Sequence, residues 1–520
     1  MNLPSIAFHE WHNASVAVYH ENDIVCVVEF ERFINKKNAS GDFFEPIHSK
    51  DYILSNIYDY LKEKYGYTKY DKCIMGYGYP EIPEKNRKII PANEYIIDES
   101  HHSAHAYGSF AQSPYQKALI ISFDGGSNDG FFNLYIGEKG KDLVNLINFG
   151  IDLGSHYHLI GLFCEEVRNY NVLTASGKVL GLQSYGKIRE EWKEPLKKLF
   201  TYPVPYWHNL EIKKKTLSDE IGIEFDGENK LKGEEGNDFA RTAQEVFEEV
   251  FFEKVDEIVR EYNLPIVLTG GCALNIVLNT KVKERYGLPV FVAPNSNDSG
   301  LSVGLLCKHF KPTNVIDVTY KGIDVLDKFI LLEEVENRNA RLADMSVMVN
   351  DLVENKIIGV VQGNSEHGPR SLGNRSIICS PMHVDMKDIL NSKVKHREWF
   401  RPFAPIVRLE DVSEYFEWEG ESRWMNFCPL VKEAYKSKIP AVTHVDGTAR
   451  VQTVTREQNQ LMYDLLTLFK ERTGIGVLVN TSFNVDGKPI LSSYKDAFKI
   501  FDKTQLDRLY LDNYYFTNKT

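Results

Sequence analysis

Two stretches of this chain repeat one design. "SVAVYHENDIVCVVEFERF" (residues 15–33) is a pair of apolar, β-branched runs joined by the polar turn Glu21-Asn22-Asp23. Apolar runs broken by such a turn read as paired strands. "KALIISFDGGSNDGFFNLYIGEKG" (residues 117–140) has the same form: strand, Asp-Gly-Gly turn, strand, Gly turn. Farther on, "LPIVLTGGCALNIVLN" and "LPVFVAPNSNDSGLSVGLLCKHF" each give a buried strand, a polar or glycine loop and a helix. A chain that pairs strands and then alternates strand with helix builds an α/β sheet, and ligands of such sheets collect where the strands end.

The repeated strand–turn–strand unit, with acidic or histidine-bearing turns, suggests a duplicated, actin-like ATPase core. At 520 residues the chain is too long for one hydrophobic core, so two or three domains are expected. The pattern weakens in "NRNARLADMSVMVND" and resumes with the strand "KIIGVVQG", which sets a boundary near residue 340, with domains 1–340 and 341–520. A net charge of -12 argues against a surface that grips nucleic acid along its length, while leaving room for a local basic pocket. The seven cysteines are scattered without a CxxC pair, as expected of a reducing cytosol rather than a disulfide framework or a zinc ribbon. The opening "MNLPSIAFHE" lacks a basic, then apolar, leader, and no run of about 18 apolar residues could span a bilayer. A cytoplasmic protein with no membrane contact is the expectation.

"IDESHHSAHAYGSF" (residues 97–110) places three of the chain's 15 histidines within five residues. On a helix His101 and His105 share a face and His102 points elsewhere. Two imidazoles at that spacing can share one cation. The further ligands expected are Asp124, at the end of the strand "ALIISFD", and Asp298, in the loop "PNSNDSG". Two histidines with carboxylates suit Fe(II) or another divalent first-row ion better than a structural zinc. Spacing alone leaves open a solvated histidine cluster that caps the helix.

The C-terminal part sets arginines in turns. "QGNSEHGPRSLGNRSI" carries Arg370 and Arg375, "NSKVKHREWFRPFAPIV" carries Lys395, Arg397 and Arg401, and "HVDGTARVQTV" carries Arg450. "VNTSFNVDGKPI" supplies Asn480, Thr481 and Ser482 at a strand end. Guanidinium forks match phosphate oxygens bidentately, and glycine-rich backbone lets amides reach the same oxygens. The pattern reads as a pocket for a small phosphorylated ligand. Pairing with the chain's 73 acidic residues is the plainer alternative.

Taken in order, these motifs resemble the NodU/CmcH family of O-carbamoyltransferases along nearly the whole chain. The resemblance is carried by "HNAS", "ERFINKKN", "HHSAHA", "SGKVLGLQSYG", "GGCALN", "SNDSGLSVG", "EHGPRSLGNRSI", "VKHREWFRPFAP", "VDGTARVQTV" and "NTSFNVDGKPI". It implies an N-terminal actin-like domain similar to the tRNA threonylcarbamoyl-transferring enzymes, and a C-terminal YrdC-like domain that forms carbamoyl-adenylate. It implies that carbamoyl phosphate and ATP, with Mg2+, give carbamoyl-adenylate and pyrophosphate, after which a hydroxyl acceptor takes the carbamoyl group. By the same resemblance His101, His105, Asp124 and Asp298 hold a divalent metal, expected to be Fe2+, and Gly270, Gly271 and Asn275 contact the nucleotide. Arg370, Lys395, Arg401, Arg450, Asn480 and Ser482 cradle carbamoyl phosphate and the ATP phosphates. His12 and Lys37 are the candidate catalytic pair, His12 as the base for the acceptor hydroxyl. The Glu366-His367 pair and Asn35 depart from the family's usual residues, which bears on acceptor contacts.

The acceptor is expected to be a small molecule, a sugar or a modified nucleoside, including a 5-hydroxymethylpyrimidine, so nucleic acid enters only as an acceptor. A homodimer is left open. An actin-like sugar kinase, or a nucleotide and carbamoyl-phosphate sensor without turnover, are the competing functions.

Overall fold

A computed structural model of the chain describes residues 3–39, 50–76, 84–167, 172–201, 219 and 231–518. The strands form where the apolar runs lie, and two five-stranded sheets arise from them. The first contains β1 (Ser5–His9), β2 (Ser15–His20), β3 (Asp23–Glu29), β4 (Tyr70–Met75) and β5 (Ala92–Ile97), in the order β3-β2-β1-β4-β5. The second contains β6 (Lys117–Ser127), β7 (Gly130–Glu138), β8 (Val144–Asn148), β9 (Ile266–Thr269) and β10 (Val290–Val292), in the order β10-β9-β6-β7-β8. In both, the first strand lies between the second and the fourth. In both, the fourth pairs parallel with the first and the fifth parallel with the fourth. The duplication expected from the sequence is thus a duplication of topology. Its first hairpin turns at Glu21 and Asn22, both at positive φ (51° and 64°), the conformation that suits a tight hairpin to strand twist.

The chain divides into two compact units. One comprises Met1–Glu10, Ala17–Asp23 and Tyr65–Ile316; the other comprises Trp11–Val16, Ile24–Lys64 and Asp317–Thr520. Residue 340, where the sequence pattern sets a boundary, lies inside the second unit, and no single cut of the sequence produces this division. The second unit also contains an eight-stranded mixed sheet. Its strands are β11 (Arg341–Leu342), β12 (Ile358–Val361), β13 (Arg375–Cys379), β14 (Ala404–Arg408), β15 (Gln452–Val454), β16 (Val477–Ser482), β17 (Arg508–Leu511) and β18 (Tyr514–Thr517). They follow the order β11-β18-β17-β12-β13-β16-β14-β15. The protein is therefore α/β. Among the described residues no helix is long and apolar enough to cross a membrane.

Three helices matter for the site in the first unit: α1 (His102–Gln112), α2 (Ile276–Tyr286) and α3 (Leu301–Phe310). Helices α1 and α3 cross at backbone contact. A Cβ on Gly304 would lie 2.1 Å from the Ala104 carbonyl oxygen, and one on Gly108 would lie 2.9 Å from the Gly304 Cα. Only glycine at both positions permits that approach, because real Cβ atoms need more room. The crossing brings the first turn of α1 beside the loop that leads into α3.

Candidate active site

The histidines of "HHSAHA" begin α1, and Asp129 holds that beginning in place. Its carboxylate accepts the backbone amides of His101 (3.0 Å), His102 (2.9 Å) and Ser103 (3.2 Å), which a helix start leaves without intrahelical partners. The Ser127 hydroxyl donates to the same carboxylate at 2.8 Å. His102 turns into the core, its Nδ1 2.8 Å from the Ser122 hydroxyl. Burial, then the charge of His101, lowers it to about 4, so it stays neutral. His101 and His105 face the other way, as their spacing requires, with their Nε2 atoms 3.3 Å apart.

Asp124, on β6, and Asp298, in the turn before α3, close the set. His105 Nε2 lies 3.1 Å from Asp124 Oδ2 and 3.3 Å from Asp298 Oδ1, and His101 Nε2 lies 3.7 Å from each. All four ligand atoms fall within 4.8 Å of one another. A tetrahedron with bonds of about 2.1 Å has edges of about 3.4 Å, and an octahedron about 3.0 Å, so these separations fit one small divalent ion. Two imidazoles and two carboxylates are a donor set for such an ion. As they stand, the groups compensate one another. Burial opposes charge on His105, but hydrogen bonds to Asp124 and Asp298 outweigh it and raise the ring to about 9. The Asp124 carboxyl feels the same burial, yet the two histidines hold it well below the usual range.

The Gly270-Gly271 turn exists for Asp124. Gly270 has φ of 90°, and a Cβ there would strike the Phe123 carbonyl oxygen at 2.2 Å. The Gly271 amide donates to Asp124 Oδ2 at 2.8 Å. Asn275 caps α2, accepting the Leu278 amide at 3.1 Å, while its own amide group donates to Gln244 at 3.0 Å. Cys272 lies beside this turn, its thiol pushed well above the usual range by burial and the nearby Asp124 charge, so it is neutral. One neighbour has no counterpart in the sequence reading. His9, at the end of β1, is buried, with Nε2 3.9 Å from Asp298 Oδ2.

The second unit gathers the arginines. The charges of Arg370, Arg397, Arg401 and Arg450 act on one another across a half-buried cluster. Burial, then Arg401, lowers Arg370 to about 10. Among the described residues Arg370 has no hydrogen bond or ion pair, and the buried Arg450 Nε has no hydrogen-bond partner. Arg401 has loose carboxylate neighbours, Glu398 at 3.6 Å and Asp486 at 4.0 Å. Arg397 is tied to Asn391 Oδ1 at 2.8 Å and lies over the Phe403 ring.

Other expected phosphate ligands are spent on the protein itself. The Lys395 ammonium donates to the Ser482 carbonyl (2.6 Å), the Asn484 carbonyl (2.8 Å) and the Asn484 side chain. It lies far below the usual lysine range because of burial and the surrounding cations, Lys37 among them. Asn480 is fully buried and donates to Ser371 O and Gln452 Oε1, at 3.2 and 2.6 Å. Ser482 donates its hydroxyl to Asn484 at 2.8 Å. Arg375 is buried in the loop and donates to the carbonyls of Gln362, Gly363 and Asn374. The sequence motif alone did not separate Arg375, which builds the loop, from Arg370, which the loop presents. His12 lies in the turn after β1, its Nδ1 3.3 Å from Asn13 Oδ1, and half-buried.

Fold and site together define an α/β protein with a nitrogen and oxygen donor cluster in one unit and a cationic cluster in the other. The family model described as carbamoyltransferase N-terminus matches residues 50–307, and that described as carbamoyltransferase C-terminus matches residues 349–518. The chain belongs to the carbamoyltransferase family and is a transferase. It is 31% identical to the uncharacterized protein MJ1051 of Methanocaldococcus jannaschii, over 97% of each chain. It is 32% identical to nodulation protein NolO of Bradyrhizobium diazoefficiens, over 79% of this chain and 77% of that one. It is also 31% identical to 3'-hydroxymethylcephem-O-carbamoyltransferase of Streptomyces clavuligerus, over 78% of this chain and 77% of that one. Among solved structures, full-length HypF in its phosphate- and nucleotide-bound form is similar at a TM-score of 0.37 and 13% identity, covering 60% of this chain and 56% of that one.

Proposed function

We propose that this chain is an ATP-dependent O-carbamoyltransferase with two half-reactions, one in each unit. The observation that carries the reading is the pair of clusters. Uncompensated guanidinium groups suit a polyanion, and the donor set with buried histidines suits a divalent ion. Membership of the family, and the names of relatives that act as O-carbamoyltransferases, support the same chemistry.

In the second unit, which we take to be YrdC-like, carbamoyl phosphate loses phosphate to water and leaves carbamate. The carbamate oxygen then attacks the α-phosphorus of ATP, and pyrophosphate departs. Arg370, Arg401 and Arg450 bind the phosphate oxygens and oppose the charge that develops on them, with no reorganisation at the moment of reaction. Lys395, Asn480 and Ser482 hold the frame of that cradle, and exclusion of water protects the carbamoyl-adenylate. In the first unit, which we take to be actin-like, the acceptor oxygen forms its bond to the carbamoyl carbon as AMP leaves. We take His12, which receives the hydroxyl proton, and Lys37, which supports the phosphate side, as the catalytic pair, although both belong by sequence to the second unit. A divalent ion, which we take to be Fe2+, held by His101, His105, Asp124 and Asp298, would supply Lewis acidity toward a carbonyl or phosphate oxygen. The Gly270-Gly271 turn keeps Asp124 aimed at that position. The acceptor is a hydroxyl of a small molecule, a sugar or a modified nucleoside.

The purified chain, incubated with ATP and carbamoyl phosphate, should release pyrophosphate. A mass-spectrometric screen of hydroxyl compounds, including 5-hydroxymethylcytosine as nucleotide and in DNA, should then find one that gains a single carbamoyl group. No pyrophosphate would leave a sensor, and ADP formed only with a sugar would leave a kinase.

A further inference from the structure

The motif that begins at Glu31, "ERFINKKN", precedes the arginine-bearing turn by more than three hundred residues, yet its neighbourhood grips that turn. The Arg32 guanidinium is buried, and its two Nη groups donate to the carbonyls of Glu366 and Gly368. Its Nε lies 3.4 Å from Glu29 Oε2, and Glu29 Oε1 accepts the Gly368 amide at 2.9 Å. Glu366, fully buried, turns back on its own loop. Its Oε1 accepts the amides of Leu372, Asn374 and Arg375 at 2.6, 2.8 and 3.1 Å.

The backbone is therefore held on both sides of residue 370. Residues 366–368 are fixed by Glu29 and Arg32, and residues 372–375 by Glu366. Pro369 restricts the intervening chain further, since its ring fixes φ. Gly368 and Gly373 occupy the left-handed region, at φ of 108° and 117°, where the tight path requires glycine. Of the two arginines in this turn, Arg375 spends its guanidinium on loop carbonyls, while Arg370 has no hydrogen bond or ion pair among the described residues. Burying two carboxylates and an arginine is costly unless each is hydrogen-bonded. A scaffold that accepts this cost to support a loop whose one unspent group is a guanidinium is organised around that group.

We propose that Glu29, Arg32 and Glu366 are positioning residues that hold the turn 366–375 so that Arg370 is preset for a phosphate group, an inference that rests on the phosphate-binding reading of the cationic cluster. The alternative is a general packing role, in which Arg32 supports the fold without a specific link to Arg370.

A double-mutant cycle on the full chain separates the two, with carbamoyl phosphate and inorganic phosphate as calorimetric probes. Arg32→Lys keeps the charge but cannot reach both carbonyls, and it should weaken binding about tenfold, the size of one lost charge-assisted hydrogen bond. In an Arg370→Ala background the same change should alter binding less than about twofold, because interacting residues are non-additive. Equal weakening in both backgrounds would overturn the proposal. The metal content of the first unit should stay at the wild-type level throughout, which reports that the chain has folded. Should Arg32→Lys fail to fold, Glu29→Gln retains an acceptor for the Gly368 amide and enters the same cycle, with the same two outcomes. An unaltered chain that binds neither probe would instead overturn the phosphate reading itself.

Discussion

The two clusters differ in how their charge is balanced. In the first unit two carboxylates face two imidazoles, and each group already satisfies another: His105 is raised and Asp124 is lowered by the same contacts. An ion that enters must displace protons from this set, so its affinity is coupled to pH and to the exact spacing of four atoms. In the second unit the cations oppose one another, and among the described residues Arg370 and Arg450 form no ion pair with a carboxylate. An anion would relieve that repulsion, and each guanidinium removed would weaken the attraction for it. One site is therefore sensitive to the spacing of its four atoms, the other to the loss of charge as well as to the turn that carries Arg370. Mutations should separate them.

The largest separation is expected from charge removal. Arg370→Ala or Arg450→Ala should weaken carbamoyl phosphate binding roughly 10²–10⁴-fold if each guanidinium makes two charge-assisted bonds, and pyrophosphate release should fall with it. Metal content should not change. The converse variant, His101→Ala with His105→Ala, should lose the metal and slow carbamoyl transfer while pyrophosphate release survives. Loss of both properties in either variant would end the division of labour between the units.

A smaller effect tests the sensitivity to geometry. Gly304→Ala sets a methyl group 2.1 Å from the Ala104 carbonyl oxygen, so α1 and α3 must separate. Overpacking of this kind costs about 1–3 kcal/mol. His105 moves relative to Asp298, and metal affinity measured by chelator competition should drop by about 10–100-fold, the range seen when ligand support is lost. Phosphate binding measured on the same protein should be unaltered. Equal metal affinity would show that the helix crossing does not set the ligand spacing.

What the sequence revealed follows the same division. The His-x-x-x-His spacing and the acidic strand ends are local signals, and the structure brings those four side chains together. The repeated topology was legible as well, because strand runs and turn residues are short-range features. The support was not. Nothing near Asp129 announces that it caps a helix 28 residues earlier in the chain, and nothing near Arg32 announces a partner 336 residues away. Glu366 stood out in the sequence only as a departure from a pattern, yet its carboxylate organises three amides. The division of the chain was hidden for a similar reason. The described residues of Ile24–Lys64 belong with the C-terminal unit through tertiary contacts that no composition shift marks. Polar residues that hold a site are chosen by three-dimensional neighbours, whereas those that form it carry local spacing.

Asp129→Ala offers the next test, at about tenfold. It strips three backbone amides of their acceptor at the start of α1, and loss of a cap costs about 0.5–2 kcal/mol. The first turn should fray, and His101 with it. Metal affinity should fall by about one order of magnitude, the lower end of what outer ligand support contributes. Asp129→Asn retains one acceptor oxygen and should recover part of the loss. If Asp129→Ala binds metal as tightly as the unaltered chain, the cap serves helix stability alone.

The smallest effect distinguishes the units by acid. His158, buried in the first unit, is lowered to about 4 by burial alone. His444, in the second unit, is also lowered to about 4, by burial and, against Asp446, by the charges of Arg450 and Lys387. Both are neutral in the native protein near pH 7, whereas an unfolded histidine titrates near about 6.5. Between the two values the unfolded state binds a proton that the native state does not, so stability falls as pH falls through that window and the loss levels off below about 4. For His158 the loss on going from pH 7 to pH 5.5 is about 1 kcal/mol. Urea unfolding at the two pH values should show His158→Gln losing less stability than the unaltered chain by about that amount. Burial is the sole cause at His158, so its slope should be indifferent to phosphate. The slope at His444, beside a cation that anions would neutralise, should become shallower when phosphate is present. Equal acid losses in His158→Gln and the unaltered chain would remove His158 as a titrating group, and a phosphate-independent slope in a His158→Gln background would uncouple His444 from the cationic cluster.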